Sequence, residues 1–189
     1  NTAQAYIASG MYKNVLVIGA ESLSNLVDWK DRSTCILFGD GAGAVVLRAE
    51  EGESYHMVTH SDGSKGEALT CDTGSFMKMD GQEVFKFAVR QVPACIAEVM
   101  EHNHLMAEDI DYFILHQANR RIVEAVAKRM KVELTKFPMN LQEYGNTSSA
   151  SIPLLLDEMN REGRLKKGQK LVLAGFGAGL SWGASLLEW

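Results

Sequence analysis

Ser9-Gly10-Met11-Tyr12-Lys13-Asn14-Val15-Leu16-Val17-Ile18-Gly19 leaves a helix pattern through a glycine and enters a run of strand-forming residues. The chain repeats that passage at Glu162-Gly163-Arg164 through Lys170-Leu171-Val172-Leu173-Ala174-Gly175. Each passage is followed by a second strand pattern, Gly41-Ala42-Gly43-Ala44-Val45-Val46-Leu47 in one case and Gly183-Ala184-Ser185-Leu186-Leu187 in the other. Two copies of one unit are the simplest cause. The second copy is complete from about Tyr55, whereas the first opens at Asn1, with no initiator Met, inside its last helix. The helix ending at Gly10 is then the mate of the helix ending at Gly163. By that symmetry the first copy's helix is expected to start about ten residues before Asn1, with a functional residue of its own there. A nucleophile suits the place, because the positive end of a helix dipole stabilises a thiolate.

Working outward, the pattern predicts a helix end over Thr2–Ser9 and strands over Asn14–Gly19 and Gly43–Arg48. After the polar break Glu50-Glu51-Gly52-Glu53 it predicts a strand (Tyr55–Thr59), a helix (Gly81–His102), a strand (Tyr112–His116) and a helix (Arg120–Met130). A helix (Ile152–Glu162) and two strands (Lys170–Ala174, Trp182–Leu187) close the chain. The break is the best boundary between a first part, 1–50, and a second, 51–189. Phe85, Ala88, Val92, Ile96 and Val99 recur at three- and four-residue steps and mark a core-facing helix stripe. Pro93 is expected to kink or break that helix.

Composition narrows the function classes. With 189 residues, 46% hydrophobic and 23% charged, the chain has the balance of an ordinary globular protein able to bury roughly 70% of its unfolded surface. A net charge of -5 argues against a general nucleic-acid surface, so any anionic partner must meet a local basic patch. Cys35, Cys71 and Cys95 are odd in number and widely spaced, which indicates neither a disulfide framework nor a zinc site and fits a reducing cytoplasm. The apolar runs are strand-length, and neither a signal peptide nor a membrane span is expected. His102-Asn103-His104 lacks further spaced ligands, so no metal site is assigned.

The chemistry is expected at His116-Gln117-Ala118-Asn119 and Gly145-Asn146-Thr147-Ser148-Ser149. His116 stands at the C-terminal end of a strand, where α/β sheets bind ligands, and Asn146 stands near the start of a helix. Taken singly, such a His is commonly structural and a Gly-Asn pair is commonly a turn. Together they offer two uncharged donors able to converge on one oxyanion. Arg121, Lys128 and Arg129 recur at two-turn spacing on one helix beside the His116 end, an arrangement that serves as a solvated face or as an anion dock.

Phe38-Gly39-Asp40-Gly41-Ala42-Gly43, the two site motifs and Gly175-Phe176-Gly177-Ala178-Gly179-Leu180-Ser181-Trp182-Gly183 resemble the β-ketoacyl-acyl-carrier-protein synthase III family of the thiolase superfamily over the whole chain. The resemblance implies a thiolase-like layered α/β fold with pseudo-duplicated halves, the N-terminal part of the first half being absent from this chain. It also implies a Cys-His-Asn set in which His116 and Asn146 are the second and third members. None of the three cysteines lies in the family's Ala-Cys-x-Gly-Phe context, which would fall just upstream of Asn1.

The implied reaction is condensation of a short acyl-CoA with malonyl-acyl-carrier protein to initiate fatty-acid synthesis, with coenzyme A thioester as substrate and no permanently bound cofactor. The residues 1–189 alone are expected to be inactive without the Cys. Further implied are a backbone oxyanion donor at Ala178, adenine-side contacts at Arg32 and Ser33, and a pantetheine tunnel wall of Gly81, Phe85, Ala118 and Asn119. Carrier-protein docking is implied at Lys86, Arg121, Lys128 and Arg129, with Arg121 also near coenzyme A phosphate, and the family expectation is a homodimer. Two alternatives stand beside this reading: another acyl-transferring synthase of the superfamily, as in secondary metabolism, and a non-catalytic partner subunit that has lost the nucleophile.

Overall fold

A computed structural model describes residues 1–51 and 55–189. The first copy of the repeat forms helix α1 (Thr2–Ala8) and strands β1 (Asn14–Glu21) and β2 (Gly41–Arg48), an antiparallel hairpin in register from Asn14↔Arg48 to Glu21↔Gly41. Then come β3 (Met57–Ser61), a short hairpin of β4 (Leu69–Thr70) and β5 (Lys78–Met79), and the 22-residue helix α2 (Gly81–His102). Strand β6 (Tyr112–Leu115), helix α3 (Arg120–Met130) and the single turn α4 (Leu141–Tyr144) lead to α5 (Ser151–Arg161), β7 (Lys170–Gly177) and β8 (Ser181–Glu188).

The repeat is visible bond by bond. After α1, Gly10 at φ 73° donates to the Ile7 carbonyl and Met11 donates to that of Tyr6. After α5, Gly163 at φ 68° donates to the Asn160 carbonyl and Arg164 to that of Met159, the same steps along the chain. This is the left-handed glycine cap that lets a helix end turn back sharply, and it sends both helices into antiparallel hairpins.

Strands β3-β8-β7-β6 form one sheet, antiparallel except for β6 beside β7. Alternation along the strands gives the sheet two buried faces. Phe113, Leu115, Val172, Ala174 and Leu186 pack on Val92, Ile96 and Val99 of α2 and Ile122 and Val126 of α3. Ile114 and Leu171 pack on Leu155, Leu156 and Met159 of α5. The β1–β2 hairpin covers the other side of α5, with Val45 joining that second cluster. Only glycine permits this approach, since a Cβ at Gly19 would come within 2.4 Å of the Ser149 carbonyl oxygen and one at Gly43 within 2.8 Å of Pro153. The result is layered: helices α2 and α3, the four-stranded sheet, α5, then the hairpin. On the hairpin's outer face Leu16, Ile18, Ala20, Ala42, Ala44 and Val46 are exposed and apolar, and the polar pair Asn14 and Arg48 closes one end.

Several expectations need adjusting. Helix α2 runs unbroken through Pro93, because flanking buried residues hold it against the sheet while only one ladder hydrogen bond is lost. Strand β3 lies two residues beyond its expected place, and strand β6 ends at Leu115, with the His116 N–H still bonded to the Ala174 carbonyl at 2.8 Å. The β4–β5 hairpin carries too short an alternation to be seen in the sequence. The expected boundary at Glu50-Glu51-Gly52-Glu53 lies partly outside the described residues. No helix among the described residues is long and apolar enough to cross a membrane.

Candidate active site

His116 sits where the β6–β7 edge meets the starts of α3 and α5. Its Nδ1 lies 2.7 Å from the Ser151 hydroxyl, and its ring stands edge-on to Phe176 at 5.4 Å. Burial pushes its pKa down to about 4, so the imidazole is neutral at pH 7. The nearby start of α5 works in the same direction, since a helix N-terminus disfavours a cation. No described residue accepts a hydrogen bond at Nε2.

Asn146 lies five residues before Ser151, at the approach to the same helix. The Gly39 N–H donates to its carbonyl and its own N–H donates to that of Leu37, which ties the loop to the first copy of the repeat. Its side-chain oxygen accepts the Ser148 N–H at 2.9 Å, with Ser148 at φ 49°. That bond fixes the amide orientation and leaves its NH2 without a partner among the described residues. Glu21 accepts from the Ser149 hydroxyl and N–H across 128 residues of sequence. Those bonds, the hydroxyl's first, hold its carboxyl below the usual range.

Ala178 occupies the tight turn joining β7 to β8, just after Phe176 and Gly177. Reciprocal bonds between Asp62 and Leu180, 2.8 and 2.9 Å, pin the turn to the end of β3. The N–H of Ala178 has no acceptor among the described residues.

An open groove of about 1040 Å³ brings together Gly81, Phe85, Lys86, Asn119 and Arg121, and adds Lys78, Met79 and Gln82. Arg121 lies over the Phe85 ring at 5.5 Å, and its N–H is capped by the Asn119 side chain. Lys86 is ion-paired with Glu83, which also takes Lys65; the two lysines, Lys65 first, hold the Glu83 carboxyl down to about 2. Ala118 stands behind this wall, packed on the core and donating its N–H to the His116 carbonyl. Arg32 and Ser33 do not line the groove; they lie in the loop between β1 and β2, where the Ser33 N–H and hydroxyl donate to the Asp31 carboxylate. The Leu26 carbonyl of that loop accepts the N–H of Met77, the neighbour of groove residue Lys78. Lys128 and Arg129 are exposed in the last turn of α3.

No cysteine is hydrogen-bonded to His116 or Asn146 among the described residues; Cys95 is buried in α2, where desolvation pushes its thiol up to about 11. The sequence reading missed a buried polar set behind His116. Gln117 (1% exposed) donates its amide to the Leu115 carbonyl and accepts the Asn140 N–H, Asn140 donates to Glu158, and Ser151 (2% exposed) meets His116. The available signal was a polar residue directly after His116 and another opening an otherwise apolar helix face.

Known proteins fit this layout. One family model, 3-oxoacyl-[acyl-carrier-protein] synthase III, matches residues 1–66, and its C-terminal counterpart matches residues 100–189. The chain belongs to this family. It is 48% identical over 204 residues to the beta-ketoacyl-[acyl-carrier-protein] synthase III of Clostridium novyi, covering 100% of this chain and 63% of that protein. Its fold matches the 3-oxoacyl-[acyl-carrier-protein] synthase III of Aquifex aeolicus at a TM-score of 0.96 and 46% identity, over 100% of this chain and 62% of that one. The Thermus thermophilus synthase III gives 0.94 and 40%, over 100% and 63%. The chain therefore spans a little over three fifths of these relatives' length. Its layered arrangement is the thiolase-like fold of the family.

Proposed function

We propose that the protein catalyses decarboxylative Claisen condensation of a short acyl-CoA with malonyl-acyl-carrier protein, giving a 3-oxoacyl-carrier protein and starting fatty-acid synthesis. The reading is supported chiefly by donors without partners among the described residues: His116 Nε2, the Asn146 amide and the Ala178 N–H. All are uncharged, and they cluster around the ends of β6 and β7 and the approach to α5. Such donors suit an oxygen that becomes anionic only during reaction. When the malonyl C–CO2 bond breaks, its electron pair enters the thioester carbonyl, and His116 and Asn146 donate to the resulting enolate oxygen. The enolate carbon then attacks the acyl-thioester carbonyl, the Ala178 N–H helps hold that tetrahedral oxyanion, and the thiolate leaves. The thiolate comes from a Cys outside residues 1–189, so this segment alone is inactive.

The same reading makes residues 1–50 and 51–189 parts of two related halves. It assigns Gly81, Phe85, Ala118 and Asn119 to a pantetheine path, Arg32 and Ser33 to the adenine side, and Arg121 to coenzyme A phosphate. Lys86, Arg121, Lys128 and Arg129 would dock the acidic carrier protein. The protein works as a cytoplasmic homodimer with no resident cofactor. The test is His116→Ala and Asn146→Ala in full-length protein. Malonyl decarboxylation is expected to fall on the order of a hundredfold or more, with Cys acylation by acyl-CoA largely kept. Equal loss of both steps overturns the assignment.

A further inference from the structure

We propose that Ser151 is a positioning residue: its hydroxyl donates to His116 Nδ1 and so fixes the imidazole as the tautomer that carries its proton on Nε2, facing the site. The argument is a count of hydrogens. The Ser151 hydroxyl has two partners among the described residues, His116 Nδ1 at 2.7 Å and the Gln117 N–H at 3.3 Å. An amide N–H can only donate, so Gln117 occupies a lone pair on the oxygen. The hydroxyl proton then has one place to go, Nδ1. In the opposite tautomer Nδ1–H would also donate to that oxygen, and a hydroxyl on a residue 2% exposed would keep a proton with no acceptor. Burying an unmade hydrogen bond is the more expensive state.

The bias is rigid because Gln117 is itself held at both ends of its side chain, by the Leu115 carbonyl at 2.7 Å and the Asn140 N–H at 3.2 Å. Asn140 is anchored in turn to Glu158 at 2.9 Å, one helix with Ser151. Neutrality of the ring completes the case, since an imidazolium would make the choice of tautomer moot. The role of this tautomer in the reaction rests on the proposed function; the tautomer itself does not.

The test uses full-length protein labelled with ¹⁵N in its histidine rings. In the wild type at pH 7, the His116 Nδ1 signal is expected to be that of an unprotonated ring nitrogen and Nε2 that of a protonated one. Ser151→Ala should produce a mixture of tautomers, and Ser151→Thr, which keeps the hydroxyl, should restore the wild-type pattern. With malonyl thioester, Ser151→Ala should lower kcat for decarboxylation by about tenfold, one hydrogen bond's worth of bias, with KM little changed. A protonated Nδ1 in the wild type, or an unaltered tautomer in Ser151→Ala, overturns the proposal. A tautomer that collapses in Ser151→Ala while decarboxylation stays at the wild-type rate leaves Ser151's positioning role standing and instead refutes His116 as an enolate donor.

Discussion

Gly39→Ala should separate the two copies of the repeat at the point where they hold the candidate site. A Cβ on Gly39 would lie 2.1 Å from the Tyr144 carbonyl oxygen, whereas real Cβ contacts essentially never fall under 3.0 Å. The obstacle is backbone, so no side chain can swing away; one of the two segments must retreat by about 0.9 Å. The segment beyond Tyr144 carries Asn146, whose carbonyl accepts the Gly39 N–H at 2.9 Å. Overpacking of this kind costs about 1–3 kcal/mol. For a unit of 189 residues that is a fall in Tm of roughly 2–12 °C, and proportionately less in a longer full-length protein. Displacing a donor by near 1 Å also removes on the order of a hundredfold in rate. The control is Gly63→Ala, where a Cβ meets nothing within 4 Å and φ is not positive. Calorimetry and malonyl decarboxylation on full-length variants give both readouts. If Gly39→Ala melts and turns over like Gly63→Ala, the hairpin does not position Asn146 and the reasoning fails.

His116 makes folding pH-dependent with a definite sign. Its folded pKa, about 4, lies below the unfolded value near 6.5, so the unfolded chain takes up the proton first and stability falls as pH drops from about 6.5 to about 4. Between pH 7 and pH 5 denaturant unfolding should lose about 2 kcal/mol that His116→Asn does not lose; equal slopes would show that the ring is not held neutral. Lys128→Glu with Arg129→Glu should raise KM for malonyl-carrier protein far more than for acyl-CoA and flatten the salt dependence of the reaction, both exposed cations being at one end of α3. Unchanged carrier-protein kinetics would make that turn an ordinary solvated face.

The repeat, the main helices and the placing of His116 at a strand end and Asn146 before a helix were legible because each rests on a local signal: a glycine cap, a period of 3.6 residues, or a polar motif at a strand or helix end. What stayed hidden depends on pairs far apart in the chain. Glu21 finds Ser149 across 128 residues, and Ser151 finds His116 across 35, with no periodicity to announce either. The groove wall from β5 was missed for a different reason, since a two-residue strand has no alternation to read. The continuous helix through Pro93 shows tertiary packing overriding a local breaker.

On the proposed chemistry, the distribution of charge follows from what decarboxylation does. The malonyl carboxylate is lost in the step, so a cation placed 4 Å from it would stabilise the substrate by about 4 kcal/mol in partly screened surroundings and give that back at the transition state. One well-aimed neutral donor to the developing enolate contributes about 3–4 kcal/mol in the opposite sense. A misplaced lysine would therefore cancel a donor. The chain keeps its donor cluster neutral, with His116 uncharged by burial, an amide at Asn146 and a backbone N–H at Ala178. Cations line the groove instead: Arg121 over Phe85 and Lys86 on Glu83, which also takes Lys65, with Lys128 and Arg129 two turns further along α3. There a positive charge can attract an anionic carrier or phosphate without binding the group that must leave.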